Sequence, residues 1–203
     1  MSNFYIGDPH LFHSNIIRYD NRPFRSAEIM NDVLIKNWND RVSPEDTVYM
    51  LGDISWSPDP ETNRTILKQL NGHKILIRGN HDNPMRAVKD CFDKVVDYLE
   101  IVDNGTKVIM FHYPILFWNG QFHDSVHLYA HVHNSHQWNM MEAYMKEARA
   151  LQALPMRAYN VGCMLPWMDY GPRTLQQIMD TYVVEPDIDL RGDIDGKSKR
   201  NNT

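Results

Sequence analysis

LYAHVHN, residues 128–134, places His131 and His133 one residue apart at the end of a short apolar run. Alternate residues of an extended chain point to the same side, so we expect both imidazoles to face one way at a strand end. Such a pair suits a metal ion, although a lone histidine in this position is more simply part of the core. Other ligands elsewhere in the chain are needed to decide between the two.

Four further apolar runs also end in carboxylate, imidazole or amide side chains. The ends read GDPH (7–10), GDIS (52–55), GNHD (79–82) and FHYP (111–114). In sheets layered with helices, ligands gather outside the carboxyl ends of the strands. Each fragment alone is more simply a turn, a cap or a core histidine. These four segments add the following candidates to His131 and His133: Asp8, His10, Asp53, Asn80, His81, Asp82 and His112.

This donor set indicates more than one metal ion. Nitrogen and oxygen ligands without thiolate suit Mn²⁺, Fe, Zn²⁺, Ni²⁺ or Mg²⁺. The candidates outnumber the three or four protein ligands that one catalytic ion takes. The surplus is natural if two ions lie about 3.5–4 Å apart and share a carboxylate.

The surrounding sequence alternates strands and helices. Strands are predicted at 3–7, 47–51, 74–77, 95–102, 107–111, 125–130 and 157–161, and the turn DNG joins 95–102 to 107–111 as a hairpin. Helices are predicted at 27–38, 60–70, directly after Asn83 and Pro84, at 138–154 and at 174–179. The order predicts a layered α/β or α+β fold with a central sheet. We expect one domain over residues 1–185 and a polar tail over 186–203. The Met-rich helix 138–154 is interpreted as core packing, with a cap or a dimer face as alternatives.

The composition of the chain limits the classes of binding partner and the cellular compartment that we expect. The 203 residues carry a formal net charge of -5 with a pI near 6.0, which weighs against a broad basic surface for duplex nucleic acid. Two cysteines, Cys91 and Cys163, cannot build a disulfide framework or a Cys-x-x-Cys zinc site. We see neither a signal peptide nor an apolar run approaching 18 residues, so we expect a cytoplasmic protein without a membrane span. The oligomeric state stays open.

The ordered set GDPH, GDIS, GNHD, FHYP and AHVHN resembles the calcineurin-like metallophosphoesterase superfamily, whose pattern is D-x-H, G-D, G-N-H-D/E, H and G-H-x-H. The match covers residues 1–180. DPHLFHSNII (8–17), followed by NRPF, NWN and WNG, resembles more narrowly the small bacterial and phage phosphoesterases of this superfamily. The resemblance implies a β-sandwich flanked by helices. Two positions depart from the pattern: Ala130 replaces the usual glycine, and Met164 stands where relatives often carry an acidic residue.

The resemblance also implies a role for each motif residue. Two divalent ions, Mn²⁺ first among them, are bound by Asp8, His10 and His133 at one position, by Asn80, His112 and His131 at the other, and by Asp53 as the bridge. His81 is implied to face the phosphate and either to protonate the leaving oxygen or to stabilise charge on phosphorus. Asp82 is implied to orient His81, with capping of the following helix as an equal rival.

The implied activity is that of a phosphoric ester hydrolase, either a phosphodiesterase or a phosphatase. A hydroxide bridging the two ions attacks phosphorus in line, and His81 supplies the proton to the departing oxygen. The substrate is expected to be a small phosphate ester, with nucleotides as one class. Candidate substrate contacts are His13, Arg22, Trp118 and Asn119. A supporting or surface position for His13, a salt bridge for Arg22 and core packing for Trp118 are rival interpretations; for Arg78 we favour a salt bridge.

Two other functions stay open. A small nuclease of the same superfamily would use the same ligands, but 203 residues with net acidic charge leave little room for a basic groove. A non-catalytic binding module on this fold would be expected to lack key residues, whereas His81 and all seven ligands are present here.

Overall fold

Two four-stranded sheets flanked by helices make up the computed structural model, which describes residues 1–151 and 156–182. The first sheet is parallel throughout, in the order β1 (Asn3–Ile6), β2 (Thr47–Met50), β3 (His73–Ile77), β4 (Lys94–Val96). The second sheet follows the order β5 (Tyr98–Asp103), β6 (Thr106–Phe111), β7 (Val126–Tyr129), β8 (Ala158–Asn160), with only β5 and β6 antiparallel. The layered α/β class and the sandwich of two sheets are therefore confirmed.

Five α-helices in the described residues flank the sheets, and four of them begin at a residue whose side chain caps the helix. They are α1 (Ser14–Tyr19), α2 (Ala27–Arg41), α3 (Pro60–Gln69), α4 (His136–Ala150) and α5 (Leu175–Thr181), with short 3-10 helices at Asn83–Cys91 and Gln121–His123. The Asp59 carboxylate accepts from the backbone N–H of Thr62 at the start of α3, and Thr174 with Gln177 forms a capping box at α5. In α2, Met30, Leu34 and Trp38 are buried at helical spacing. Among the described helices, none is long and apolar enough to cross a membrane.

One predicted strand is wrong. The segment 95–102 is two strands, because the chain bends at Asp97 and changes sheet: β4 pairs with β3, whereas β5 pairs with β6. The bend is held by Arg78, whose Nε and Nη2 donate to the Asp97 carboxylate at 2.8 and 2.6 Å. Both halves are rich in β-forming residues, and a period of two does not tell which neighbour a strand pairs with. The hairpin itself is present as β5 and β6.

The main core lies between the sheets. Ile6, Met50 and Leu76 of the first sheet belong to one buried apolar cluster with Met110 and Leu128 of the second. Each fully buried side chain of this size contributes about 1.5–3 kcal/mol to the free energy of unfolding. This interior fixes the strand ends on which the candidate ligands are carried.

The Met-rich helix α4 packs on a second, smaller cluster. Met141 and Met145 are buried there with Ile109 and Tyr129, whereas Met140 is 56% exposed. Core packing therefore accounts for two of the three methionines. Residues 152–154 of the predicted helix, and the predicted tail 186–203, lie outside the described residues.

Gly7 connects the end of β1 with the second sheet. Its N–H donates to the Val161 carbonyl at 2.7 Å, and its carbonyl accepts from the Cys163 N–H at 2.8 Å. A Cβ at Gly7 would lie 2.5 Å from the Cβ of Ala130, closer than two carbons can approach. The alanine that replaces the usual glycine before H-x-H is thus accommodated by a glycine opposite it. This contact places the ends of β1 and β7 side by side.

Candidate metal centre

The candidate ligands meet in the loops that follow the strands. The loops after β1 and β2 are joined by backbone hydrogen bonds, from Asp8 N to the Gly52 carbonyl at 3.1 Å and from His10 N to the Asp53 carbonyl at 3.0 Å. The loop after β3 comes so close that a Cβ at Gly79 would lie 2.2 Å from Asp53 Oδ1. Only glycine permits this approach.

Asp8, His10 and His133 form the first ligand group. The Nε2 atoms of His10 and His133 lie 3.3 Å apart, and His133 Nε2 is 3.7 Å from Asp8 Oδ2. His133 Nδ1 lies 2.8 Å from Asp20 Oδ1, which fixes the ring and leaves Nε2 free to bind. The three donor atoms therefore converge on one point from two loops, those that follow β1 and β7.

Asp53, His112 and His131 form the second group. His112 Nδ1 donates to the Leu51 carbonyl at 2.7 Å, so its Nε2 faces the group, where it lies 3.1 Å from Asn80 Oδ1. The rings of His112 and His131 are 5.1 Å apart between centroids. Asn80 thus stands at the edge of this group as a further oxygen donor.

Asp53 lies between the two groups. Its Oδ2 is 3.6 Å from His10 Nε2 and 3.6 Å from His112 Nε2, one histidine of each group. Its Oδ1 accepts from the backbone N–H of His81 at 2.8 Å. A single carboxylate oxygen is therefore placed to serve both groups.

The charge balance of these groups fits divalent cations. Asp8 Oδ1 is buried and has no hydrogen-bond partner among the residues that the structure describes. Burial raises the pKa of the Asp8 and Asp53 carboxyls, and it lowers the pKa of His10 and that of His131, the latter to about 4. Neutral imidazoles beside buried carboxylates are the form that metal binding requires. The nitrogen and oxygen donors present suit two divalent ions.

The backbone at the ligands is strained. Five of the seven predicted ligands have positive φ values: Asp8 (53°), His10 (50°), Asp53 (54°), His131 (69°) and His133 (48°). Each costs about 1–3 kcal/mol and persists only where the surrounding contacts enforce it. The expectation that strand alternation aims His131 and His133 is wrong, because β7 ends at Tyr129. Left-handed turns deliver the two rings to different groups instead.

His81 and Asp82 have different surroundings. His81 is exposed, and its ring centroid lies 5.9 Å from that of His10, at the mouth of the first group. Asp82 is 2% exposed, and its carboxylate accepts from the N–H groups of Asp53 at 2.9 Å, Ile54 at 2.9 Å and Gly79 at 2.7 Å. It makes no capping hydrogen bond to the following helix. Asp82 thus joins the loops after β2 and β3, rather than orienting His81 or capping.

Two of the four predicted substrate contacts lie near the ligands. His13 is 8% exposed, and its ring centroid lies 5.5 Å from that of His10. Arg22 is 4% exposed and donates to the Asp8 carbonyl at 3.0 Å, the Pro9 carbonyl at 2.9 Å and the Asp20 carboxylate at 2.9 Å. Through these hydrogen bonds the Arg22 guanidinium holds the loop that follows β1. Arg22 therefore has a structural role in place of the predicted contact with phosphate.

The other two predicted contacts, Trp118 and Asn119, have their own structural partners, and Trp118 fits the rival interpretation of core packing. Trp118 is 8% exposed in the smaller core cluster and donates from Nε1 to Ser125 Oγ at 3.1 Å. Asn119 donates to both carboxylate oxygens of Glu100, at 3.1 and 3.0 Å. Core packing and a surface hydrogen bond account for both, so neither fits the predicted contact with substrate.

The structure adds neighbours of the ligands that sequence reasoning missed. Trp56 and Tyr113 are partly exposed rings beside the two groups. Asp20 holds His133, and Asn160 Nδ2 donates to the His133 carbonyl at 2.9 Å. Tyr113 directly follows His112 and Trp56 follows GDIS, so adjacency to a motif was the available signal for these two. Asp20 lies 113 residues from His133, so no sequence signal linked the two.

The chain is similar to several proteins of known sequence or structure. The chain is 39% identical over 140 residues to the uncharacterized protein MJ1445 of Methanocaldococcus jannaschii, covering 68% of this chain and 71% of that protein. It is 30% identical over 133 residues to the Gene 66 protein of Mycobacterium phage D29, covering 56% of this chain and 65% of that protein. The crystal structure of the protein of unknown function AQ665 from Aquifex aeolicus superposes with a TM-score of 0.65 at 27% identity, covering 89% of this chain and 98% of that one.

The profile of one protein family spans the region in which all the candidate ligands lie. It is described as calcineurin-like phosphoesterase and matches residues 4–162. That range includes both ligand groups and the carboxylate between them. With its motifs, its fold and this match in agreement, the chain belongs to the calcineurin-like phosphoesterase family.

Proposed function

We propose that this protein is a dinuclear metal-dependent hydrolase of phosphoric esters. The observation that carries the proposal is the position of Asp53, whose Oδ2 lies 3.6 Å from one histidine of each ligand group. A carboxylate shared in this way suits two adjacent divalent cations. Family membership supports the same class of reaction.

Each ligand group supplies a distinct donor set. Asp8, His10 and His133 would hold the first ion, and His112 and His131, with Asn80 at the edge, would hold the second; Asp53 would serve both. Bound divalent cations would neutralise phosphate oxygens and lower the pKa of a water molecule. That water could then lose a proton near neutral pH and supply the hydroxide that attacks phosphorus. This donor set does not itself select among the divalent metals. We take Mn²⁺ as the first candidate to test.

His81 is the proposed proton donor. It is exposed at the mouth of the centre, and its backbone N–H is fixed by Asp53 Oδ1 at 2.8 Å. An imidazole at this position can give a proton to the oxygen that leaves phosphorus. Asp82 contributes by holding the two loops that carry Asp53 and His81, so it is a positioning residue rather than a catalytic one.

The proposed substrate is a small phosphate ester. Asn80 and His81 are exposed, whereas Asp8, His10 and Asp53 are buried beneath them. Phosphate therefore approaches from the side of these two residues, and its organic groups extend towards solvent. The net charge of -5 favours a small ester over duplex nucleic acid.

The test is hydrolysis by metal-free protein reloaded separately with Mn²⁺, Ni²⁺, Zn²⁺ and Mg²⁺. Bis-p-nitrophenyl phosphate and p-nitrophenyl phosphate serve as diester and monoester. His81→Ala and Asp53→Ala are compared with wild type, and His123→Ala is the matched control, because His123 is an exposed histidine in neither ligand group.

The expected result is metal-dependent turnover that both variants lose and the control keeps. Two bound ions without turnover of either ester would point to a narrower substrate. A chain that binds no metal and turns over neither ester would contradict the proposal and favour the non-catalytic binding module.

A further inference from the structure

Two aromatic rings stand beside the metal centre with exposed faces, one next to each ligand group. Trp56 is 44% exposed, and its ring centroid lies 6.2 Å from that of His10 in the first group. Tyr113 is 37% exposed, and its ring centroid lies 4.4 Å from that of His131 in the second. Core packing does not explain exposed rings at this position.

Trp56 is held in place rather than free. Its indole stacks on the buried imidazole of His13, with centroids 4.0 Å apart and planes 6° from parallel. Its backbone N–H donates to the Leu11 carbonyl at 2.8 Å. One face of the indole is therefore covered by His13, and 44% of the residue remains exposed in this fixed position.

Tyr113 is anchored through its neighbours in the second group. Its ring lies edge-on to His112, with centroids 5.0 Å apart at 79°, and 5.6 Å from that of Phe111. Phe111 ends β6, and His112 is fixed by the Leu51 carbonyl. The tyrosine ring thus follows directly from a rigid strand end.

We infer, on the basis of the proposed function, that the substrate is a phosphodiester with planar groups on both arms, and that Trp56 and Tyr113 each receive one of them. A monoester has a single organic group and would use only one of the rings. Planar groups such as nucleobases or phenyl rings stack on aromatic side chains with little dependence on their identity.

The two rings have different tasks because of His81. The ring of Trp56 lies 4.7 Å from that of His81, the proposed proton donor. The group that departs with the proton therefore lies against Trp56. The group retained on phosphorus lies against Tyr113, beside the second ligand group.

Three substrates isolate the retained arm. Bis-p-nitrophenyl phosphate, ethyl p-nitrophenyl phosphate and p-nitrophenyl phosphate all release p-nitrophenolate. On the other arm the two diesters carry a ring or an ethyl group, and the monoester carries a free, ionisable oxygen. Steady-state kcat and KM are measured with the metal-loaded protein. Tyr113→Ala and Trp56→Ala remove the rings, whereas Tyr113→Phe and Trp56→Phe retain an aromatic ring. Phe122→Ala removes an exposed ring elsewhere and is the control.

Tyr113→Ala is expected to lower kcat/KM about threefold to tenfold for the diester with two rings, mainly through KM, and to leave the other two substrates unchanged. Trp56→Ala is expected to lower kcat/KM for all three substrates by a similar factor. The Phe variants are expected to keep most of the activity, and the control all of it. Metal content and thermal unfolding of each variant show whether the centre itself is intact.

Other outcomes overturn the inference. Tyr113→Ala affecting the three substrates equally, or a wild type that prefers the monoester, would contradict it while leaving the proposed function in place. If wild type turns over no ester, the proposed function is contradicted where the chain also binds no metal. In that case calorimetric binding of the intact two-ring diester still decides: weaker binding by Tyr113→Ala than by Tyr113→Phe supports the inference, and equal binding refutes it.

Discussion

Replacing Asp20 with asparagine should weaken one metal position and spare the other. Asp20 Oδ1 lies 2.8 Å from His133 Nδ1, and both side chains are largely buried. Burial would lower the pKa of His133, but the Asp8 and Asp20 carboxylates outweigh it and raise that pKa. The negative charge of Asp20 thus makes His133 a stronger ligand. Asparagine keeps the size of the side chain and removes that charge.

The expected loss follows from the place of Asp20 behind a ligand. Residues that orient metal-binding histidines are worth about 10–100-fold in metal affinity. This corresponds to about 1.4–2.7 kcal/mol in binding free energy. His112 in the second group is oriented by the Leu51 carbonyl instead, so its group should keep its affinity.

Calorimetric titration of metal-free protein with Mn²⁺, alone and against a competing chelator, resolves the two binding events. Asp20 also pairs with Arg22, with 2.8 Å between Oδ2 and Nη2, so thermal unfolding must be measured alongside. Asp97→Asn is the control, because it removes the carboxylate partner of Arg78 at a more exposed pair. Equal weakening of both positions, or no weakening of either, would refute the reasoning.

Four further results are expected. Burial lowers the pKa of His127 to about 4, below its value in the unfolded chain. Above about pH 6.5 this histidine therefore leaves the free energy of unfolding unchanged, and as the pH falls to about 4 it lowers that free energy by ~3 kcal/mol in the metal-free protein. Urea unfolding across this pH range should show a smaller decrease in His127→Gln. Asp82→Asn should cost about 1–3 kcal/mol of unfolding free energy in the same assay, because its carboxylate accepts three buried N–H groups. Gly7→Ala should cost about 1–3 kcal/mol, because its Cβ would lie 2.5 Å from that of Ala130, and Ala130→Gly should restore much of this in the double variant. Removal of bound metal with a chelator should lower the unfolding temperature, since ions at 100 times their Kd add about 2.7 kcal/mol; an unchanged temperature would argue against tight binding.

The residues that meet at the candidate centre could be predicted from the sequence, but the way their side chains are oriented could not. GNHD and H-x-H are local patterns, and both lie at strand ends as predicted. Strand alternation was the wrong reason for the placement of His131 and His133, because positive φ values turn the chain after β7. Such turns at residues other than glycine are enforced by tertiary contacts, which no local pattern records.

Long-range contacts account for the other differences. Arg22 looked like a phosphate ligand because arginine suits phosphate, but three buried acceptors already occupy its guanidinium. The division of 95–102 between two sheets depends on which strand lies beside each half. The starts of α2, α3 and α5 were predicted to within one residue, because the helical spacing of apolar residues is a local pattern, whereas the short helix α1 was not predicted.

The contact between Gly7 and Ala130 has a consequence for how this family varies. The positions lie in different sheets, yet together they have room for one methyl group. A relative that carries glycine at the position of Ala130 is free to carry alanine at the position of Gly7, and one that carries alanine there is not. In an alignment of relatives, therefore, these two columns should covary, and the residue before H-x-H should be read together with the residue before D-x-H.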